Sequence, residues 1–179
     1  VVREVVRGVV SDGATRERSM SQAAMPLGTT QGYATPTVSQ FSVFLVNKVG
    51  KLLDLAEAFD GSGAQICALS VHEASDHAVV RLVTDNAQSA RKLLKDQGLP
   101  FSERDVLVVE LSKGHTLSSL CVCLLGAELS IQFAYPLMIR PNGTPTIALA
   151  VDDLTLAGQL LRKKEFRLFG EADLRGESS

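Results

Sequence analysis

LVTDNAQSARKLLK, residues 82–95, and LAVDDLTLAGQLLR, residues 149–162, lie over each other without a gap. Leu82 matches Leu149, Asp85 matches Asp152, Ala90 matches Ala157, and Leu93-Leu94 matches Leu160-Leu161. Each stretch reads as the end of a strand, an aspartate that caps a helix, and a helix with one apolar stripe. A pattern used twice in one chain marks a duplicated module.

Outward from the first stretch, the elements alternate in type. Residues 38–46 (VSQFSVFLV) alternate as a strand, and Gly50 opens a helix to Phe59 with Leu52, Leu53, Leu55, Ala56 and Phe59 expected on one stripe. Gly61-Ser62-Gly63 ends that helix. Residues 64–73 and 77–84 read as strands of a hairpin turned at Ala74-Ser75-Asp76, and the helix capped by Asp85 runs to Gln97. Gly98 suits the left-handed position after that helix, Pro100 follows, and a strand fills residues 101–111. The second copy supplies a helix over 116–125, strands over 128–137 and 144–151 joined by Arg140-Pro141-Asn142-Gly143, a helix from Asp152 to Arg162, and a last strand over 166–169. This is an α+β, ferredoxin-like βαββαβ fold in two tandem modules, with antiparallel sheets and helices on one face. The second copy lacks a first strand of its own, so the strand at 106–111 is expected to serve both. The expected organisation is a disordered or extended leader over 1–36, module 1 over 37–111, module 2 over 106–174 and a tail over 175–179. The chain begins with Val1, so Met20 and Met25 are candidate initiators.

Composition narrows the function classes. With 45% hydrophobic and 21% charged residues the chain is a packed protein, and a net charge of -2 offers no attraction for nucleic acid or an anionic membrane. No run reaches the ~18 apolar residues of a membrane span, and charges break up the opening VVREVVRGVV too often for a secretory signal. A cytoplasmic location is expected. Cys67, Cys121 and Cys123 form no CxxC pair and are expected to be buried thiols in a reducing compartment, with Cys121 and Cys123 facing the core. A module of roughly 70 residues buries a small core, so the uncovered sheet face and edges predict packing between modules, or a homodimer or larger homo-oligomer.

The first strand-to-helix junction, Asn47-Lys48-Val49-Gly50-Lys51-Leu52, carries the chemistry. Glycine there permits close approach of a ligand, and the first helical N–H groups lack internal partners and so suit a carboxylate. Asn47 has two uses, as the helix cap or as a partner for a ligand's ammonium group. This Asn-x-x-Gly-x-Leu resembles the Asn/Asp-x-Pro-Gly-x-Leu signature of ACT domains, with Val49 at the place of proline. The resemblance, over about residues 38–174, implies a regulatory module without catalytic activity that binds an amino acid at a module interface. It implies a ligand contacted by Asn47, Lys48, Val49, Gly50, Lys51 and Leu52, and no cofactor.

The equivalent stretch of the second copy is Ser112-Lys113-Gly114-His115-Thr116-Leu117, a weaker second site because His115 falls where the family has glycine. A side chain there is expected to obstruct backbone approach or to force different dihedral angles. No residue set satisfies a metal, since His115 has no partner at i+4 and Cys121 and Cys123 lie about two turns on. His72 and His77 flank a turn and are expected to be exposed. No GxSxG, P-loop or dinucleotide fingerprint is present. The expected function is an amino-acid-binding regulator. Its alternatives are a regulatory subunit docked on an amino-acid biosynthetic enzyme, and a nucleotide-binding signal protein or small enzyme on the same scaffold.

Overall fold

The computed structural model describes residues 34–74 and 76–175. Most of the expected leader and tail therefore lies outside the described residues. The elements are β1 (Val38–Val46), α1 (Lys51–Phe59), β2 (Ile66–Ala74), β3 (His77–Thr84), α2 (Ala87–Asp96), β4 (Phe101–Glu110), α3 (Leu117–Leu125), β5 (Ile131–Pro136), β6 (Thr146–Val151), α4 (Leu154–Lys163) and β7 (Leu168–Phe169), closed by a 3-10 turn at Glu171–Leu174. Counting β4 in both copies, the order is βαββαβ twice.

All pairings are antiparallel, in the order β2-β3-β1-β4-β6-β5 with β7 also on β4. The hinge of this arrangement is β4. Its residues Phe101 to Val106 pair with Val43 to Val38 of β1, whereas Leu107 to Glu110 pair with Leu149 to Thr146 of β6. Val108 and Val109 also pair with Phe169 and Leu168 of β7. One ten-residue strand thus closes the first half-sheet and opens the second. At about 3.4 Å per residue it is long enough to do both.

Strand alternation sends each side chain to one of two faces. Phe41, Val43 and Leu45 with Val80 and Leu82 point to Leu55 and Phe59 of α1 and to Ala90 and Leu94 of α2. In the second copy Leu107 and Val109 with Ile147, Leu149 and Val151 meet Leu120 and Leu124 of α3 and Ala157 and Leu161 of α4. The opposite faces form a third cluster in which Val83, Ala68 and Cys67 pack with Val106, Val108, Ala148, Ala150, Tyr135 and Leu137. The helix-free faces of the two half-sheets therefore cover one another, and each module receives from its twin the second layer that its size does not let it build alone. Polar bonds cross this seam. Tyr135 Oη donates to Gln40 Oε1 at 2.7 Å, and the Met138 amide donates to the Cys67 carbonyl at 2.8 Å. The Arg81 guanidinium lies 4.3 Å from the Phe133 ring centroid.

The ends of the elements correct several sequence expectations. Asp85 and Asp152 do not cap helices. Asn86 and Asp153, one residue later, accept the amides of Ser89 and Leu156. The two aspartates instead bind the amides that lead into β2 and β5, Gln65 at 2.7 Å and Ser130 at 3.1 Å, and so tie each hairpin to its helix in the same way. β6 begins at Thr146 and not at residue 144, because Pro145 has no N–H to enter a ladder. β5 begins after a left-handed residue, Glu128 at φ 56, whose successor Leu129 donates back to Leu124. Ahead of β1, Thr35 packs against Gly158 of α4, and Pro36 lies beside Gly170.

Candidate functional site

At the end of β1 the Asn47 amide donates to Asp76 across the hairpin at 3.0 Å, and Lys48 turns back onto Val46 at 2.8 Å. Gly50 then adopts φ 91, ψ -19 as the residue before α1, a conformation in which side chains other than glycine are strained. No side chain caps α1. Asn47 is not its cap, since its Nδ2 donates to Glu73 Oε1 at 3.0 Å. The Lys51 amide, expected to be open to a carboxylate, donates instead to the Lys48 carbonyl at 3.2 Å, whereas among the described residues no acceptor reaches the amides of Leu52 and Leu53. Every residue from Val46 to Asp54 is exposed, and nothing lies within 4 Å of the place a Cβ on Gly50 would take. The corner is open. Unpartnered amides at the positive end of a helix, with Lys48 and Lys51 beside them in sequence, favour an anion. Lys51 Nζ lies 2.7 Å from Asp54 Oδ2, so part of its charge is met within the helix.

Glu73 is the residue that sequence reasoning missed. It lies 26 positions from Asn47 and reaches the corner because β2 and β3 form the hairpin against which β1 is paired. Its carboxylate gives the corner an acidic group close to a site that otherwise favours anions. A zwitterion presents both signs.

The second loop is built differently. Its left-handed residue is Gly114, φ 92, and Thr116 caps α3 by accepting the Ser119 amide at 3.2 Å. The glycine that the backbone needs is therefore one residue earlier than the motif comparison put it, and His115 takes no left-handed conformation. Ser112 and His115 exchange two backbone bonds, at 3.1 and 3.0 Å, that close the loop on itself. The His115 ring is held by Lys164 O at 3.1 Å from Nε2 and by the edge of Phe166, with centroids 4.8 Å apart. Lys113 is exposed.

Behind His115 a cavity of about 540 Å³ opens between α3 and α4, with Ser119, Cys123, Leu160 and Phe166 in its lining. The first module has the matching cleft between α1 and α2, lined by Lys51, Asp54, Ala58, Gln97 and Leu99, but it holds only about 210 Å³. The Lys51–Asp54 ion pair occupies the positions that Thr116 and Ser119 take in the second copy. The larger cavity thus belongs to the second loop, while the first offers an open corner.

The cysteines differ from expectation. Cys67 is buried, but Cys121 is exposed and Cys123 half-buried, because α3 turns Leu120 and Leu124 to the sheet. Burial pushes the Cys67 thiol up to about 12, with the Asp85 charge adding to the rise, and burial raises Cys123 above the usual thiol value against a smaller opposing effect of Lys164. His72 and His77 are exposed, with His72 Nε2 2.9 Å from Ser70 Oγ. Among the described residues no group of three or more His, Cys, Asp or Glu is placed to hold a metal ion, and no helix is long and apolar enough to cross a membrane.

A family model described as an ACT domain pair matches residues 36–174. Among solved structures, protein BT0572 from Bacteroides thetaiotaomicron is similar over 80% of this chain and 99% of its own, at 23% identity and a TM-score of 0.69. The regulatory subunit of aspartate kinase from Thermus thermophilus, in its ligand-free form, is similar over 72% of this chain and 92% of its own, at 10% identity and a TM-score of 0.50. At such identities these likenesses concern the fold. No curated protein matches.

Proposed function

The chain belongs to the family of ACT domain pairs, and on that footing we propose that it is a non-catalytic regulatory protein whose ligand is a free amino acid. The ligand's carboxylate rests on the amides of Leu52 and Leu53 in the first turn of α1, beside Gly50, and its ammonium group faces the Asn47–Glu73 pair. Lys48, Val49, Lys51 and Leu52 complete the surround. The observation that carries this reading is the open corner at Gly50: a left-handed glycine with empty space over it and helix amides that nothing in the described chain satisfies. A carboxylate supplies what those amides lack. The loop is tied on both sides, to the hairpin through Asn47 and to α1 through Gly50, whose carbonyl accepts the Asp54 amide at 2.9 Å. A ligand seated there pulls on β1, and β1 is hydrogen-bonded to the strand that both modules share. Regulation requires that one packing of the modules bind the ligand better than another.

Thermal-shift measurement against the twenty amino acids tests the reading. A ligand at ~100 times its Kd stabilises by about 2.7 kcal/mol, a rise of roughly 5–10 °C for a chain of this size. Gly50→Val costs the free protein about 1–2 kcal/mol through its backbone and is expected to abolish the ligand-dependent rise. If no amino acid shifts the transition at millimolar concentration, or if the rise persists in Gly50→Val, the reading is wrong.

A further inference from the structure

Residues that pair directly across antiparallel strands point to one side of the sheet. Ser42 of β1 pairs with Arg81 of β3 and Ser102 of β4, Gln40 pairs with Arg104 of β4, and Arg81 pairs with Ser70 of β2. This is the helix-free face of the first half-sheet, and only one end of it is covered. Ala68, Val83 and Val106 lie under the second half-sheet, whereas Arg81, Arg104, Ser42 and Ser70 are half-buried and Ser102 is exposed. Phe133 of β5 marks where the cover stops. The guanidinium carbon of Arg81 lies 4.3 Å from its ring centroid and that of Arg104 5.3 Å, so at most about 10 Å separates the two charges. Arg91 is matched by Glu103 and Arg167 by Glu110, but among the described residues neither Arg81 nor Arg104 meets a carboxylate. The alternation of the strands arranges this. Glu73, Glu103 and Asp105 fall on the opposite face, and no Asp or Glu falls on the arginines' side of β1, β2, β3 or the Phe101–Val106 part of β4. In a chain of net charge -2, two like charges are thus held close together with no counter-charge.

We propose that this face binds a small molecule through a diphosphate group, at the mouth of the seam between the half-sheets. A guanidinium over a ring uses its flat side and leaves its N–H edges for an acceptor. Each edge is a fork of donors that matches the oxygens of one phosphoryl group, so two forks take two adjoining groups. Ser42, paired beside Arg81, adds a hydroxyl donor between them. Phe44 follows Ser42 on the same face, 41% exposed, and offers its ring to a flat organic base. Free diphosphate and the diphosphate of a nucleoside share this chemistry, and Phe44 separates them. The corner at Gly50 lies beyond the end of β1 and takes no part, so the two sites stand or fall independently.

Amide NMR of the full chain at low ionic strength, titrated with sodium pyrophosphate and with adenosine diphosphate, tests the proposal. The Ser42, Arg81 and Arg104 amides are expected to shift and to saturate at millimolar ligand or below. Arg81→Gln and, separately, Arg104→Gln should each weaken binding at least about 10-fold. Arg140→Gln removes the same charge from an exposed hairpin and leaves binding unchanged. Ser42→Asp keeps both arginines and puts a carboxylate between them, so it is expected to abolish binding in a chain whose amide spectrum stays native. Tighter binding of the nucleotide, with Phe44→Ala removing the difference, assigns a nucleoside diphosphate, and equal affinities assign the diphosphate itself. The proposal is overturned if neither probe moves these amides at millimolar concentration, or if citrate binds there more tightly than pyrophosphate. It is overturned equally if Arg140→Gln weakens binding as much as Arg81→Gln, or if binding survives in folded Ser42→Asp.

Discussion

Tyr135→Phe removes one hydroxyl from the seam between the half-sheets, and its consequence follows from the partner left behind. Tyr135 Oη donates to Gln40 Oε1 at 2.7 Å, with Gln40 fully buried and Tyr135 6% exposed. Burial holds the phenol above its ordinary pKa, so the hydroxyl stays protonated and donating. Without it the Gln40 carbonyl oxygen loses this donor in a place that water does not reach. Such an orphaned group costs about 1–3 kcal/mol, more than the hydrogen bond itself contributes, because its desolvation is no longer offset. Taking ~2 kcal/mol, the melting temperature falls by roughly 4–8 °C for a chain of this size. Replacing both partners, Gln40→Met with Tyr135→Phe, removes the orphan as well as the bond and is expected to recover most of the loss. Urea denaturation followed by circular dichroism measures all three variants against the wild type. A single substitution costing less than about 0.3 kcal/mol, or a double variant as weak as Tyr135→Phe alone, refutes the buried bond.

Gly158→Ala, ordinarily a gain of about 0.5–1 kcal/mol within a helix, is expected to destabilise instead by about 1–3 kcal/mol. The new Cβ would fall 2.0 Å from Thr35 Cγ2 and 2.8 Å from Thr35 Cβ. Adding Thr35→Gly should turn the loss back towards the usual gain in the same denaturation assay. For Cys67, folding holds the thiol at about 12 against an ordinary 9.0, so the folded chain resists its ionisation. Its contribution is complete below pH 9.0 and is lost as pH rises towards about 12, and Cys67→Ala should flatten that part of the stability profile. A thiol reagent at neutral pH should modify Cys121 first, Cys123 more slowly and Cys67 only on unfolding, with mass spectrometry of the peptides as the readout.

Much of this fold was legible because duplication repeats its signals. Leu93-Leu94 and Leu160-Leu161 mark the same face of α2 and α4, and the strand order follows from βαββαβ read twice. The caps were misread by one residue because Asp-Asn and Asp-Asp place two capping residues in a row, and only the pairing of Asp85 with Gln65 and Asp152 with Ser130 separates them. Gly98 announces the left-handed end of α2, yet Glu165 at φ 62 ends α4 in the same manner with no glycine to mark it. The open corner at Gly50 was visible in its motif, but Glu73 was not, since strand pairing brings it there over 26 residues. The exposure of Cys121 was hidden for another reason. A helix whose residues after Ser119 are all apolar has no periodicity that says which stripe faces inward.

Backbone amide NMR of the full chain, titrated with the amino acid that raises its melting temperature most, tests the seat of the ligand most directly. The Gly50, Leu52 and Leu53 resonances should move furthest and saturate together, and those of Gly114 and Ser119 should stay still. Shifts confined to His115, Val122 and Phe166 around the larger cavity, with the Gly50 amide unmoved at saturation, contradict the account.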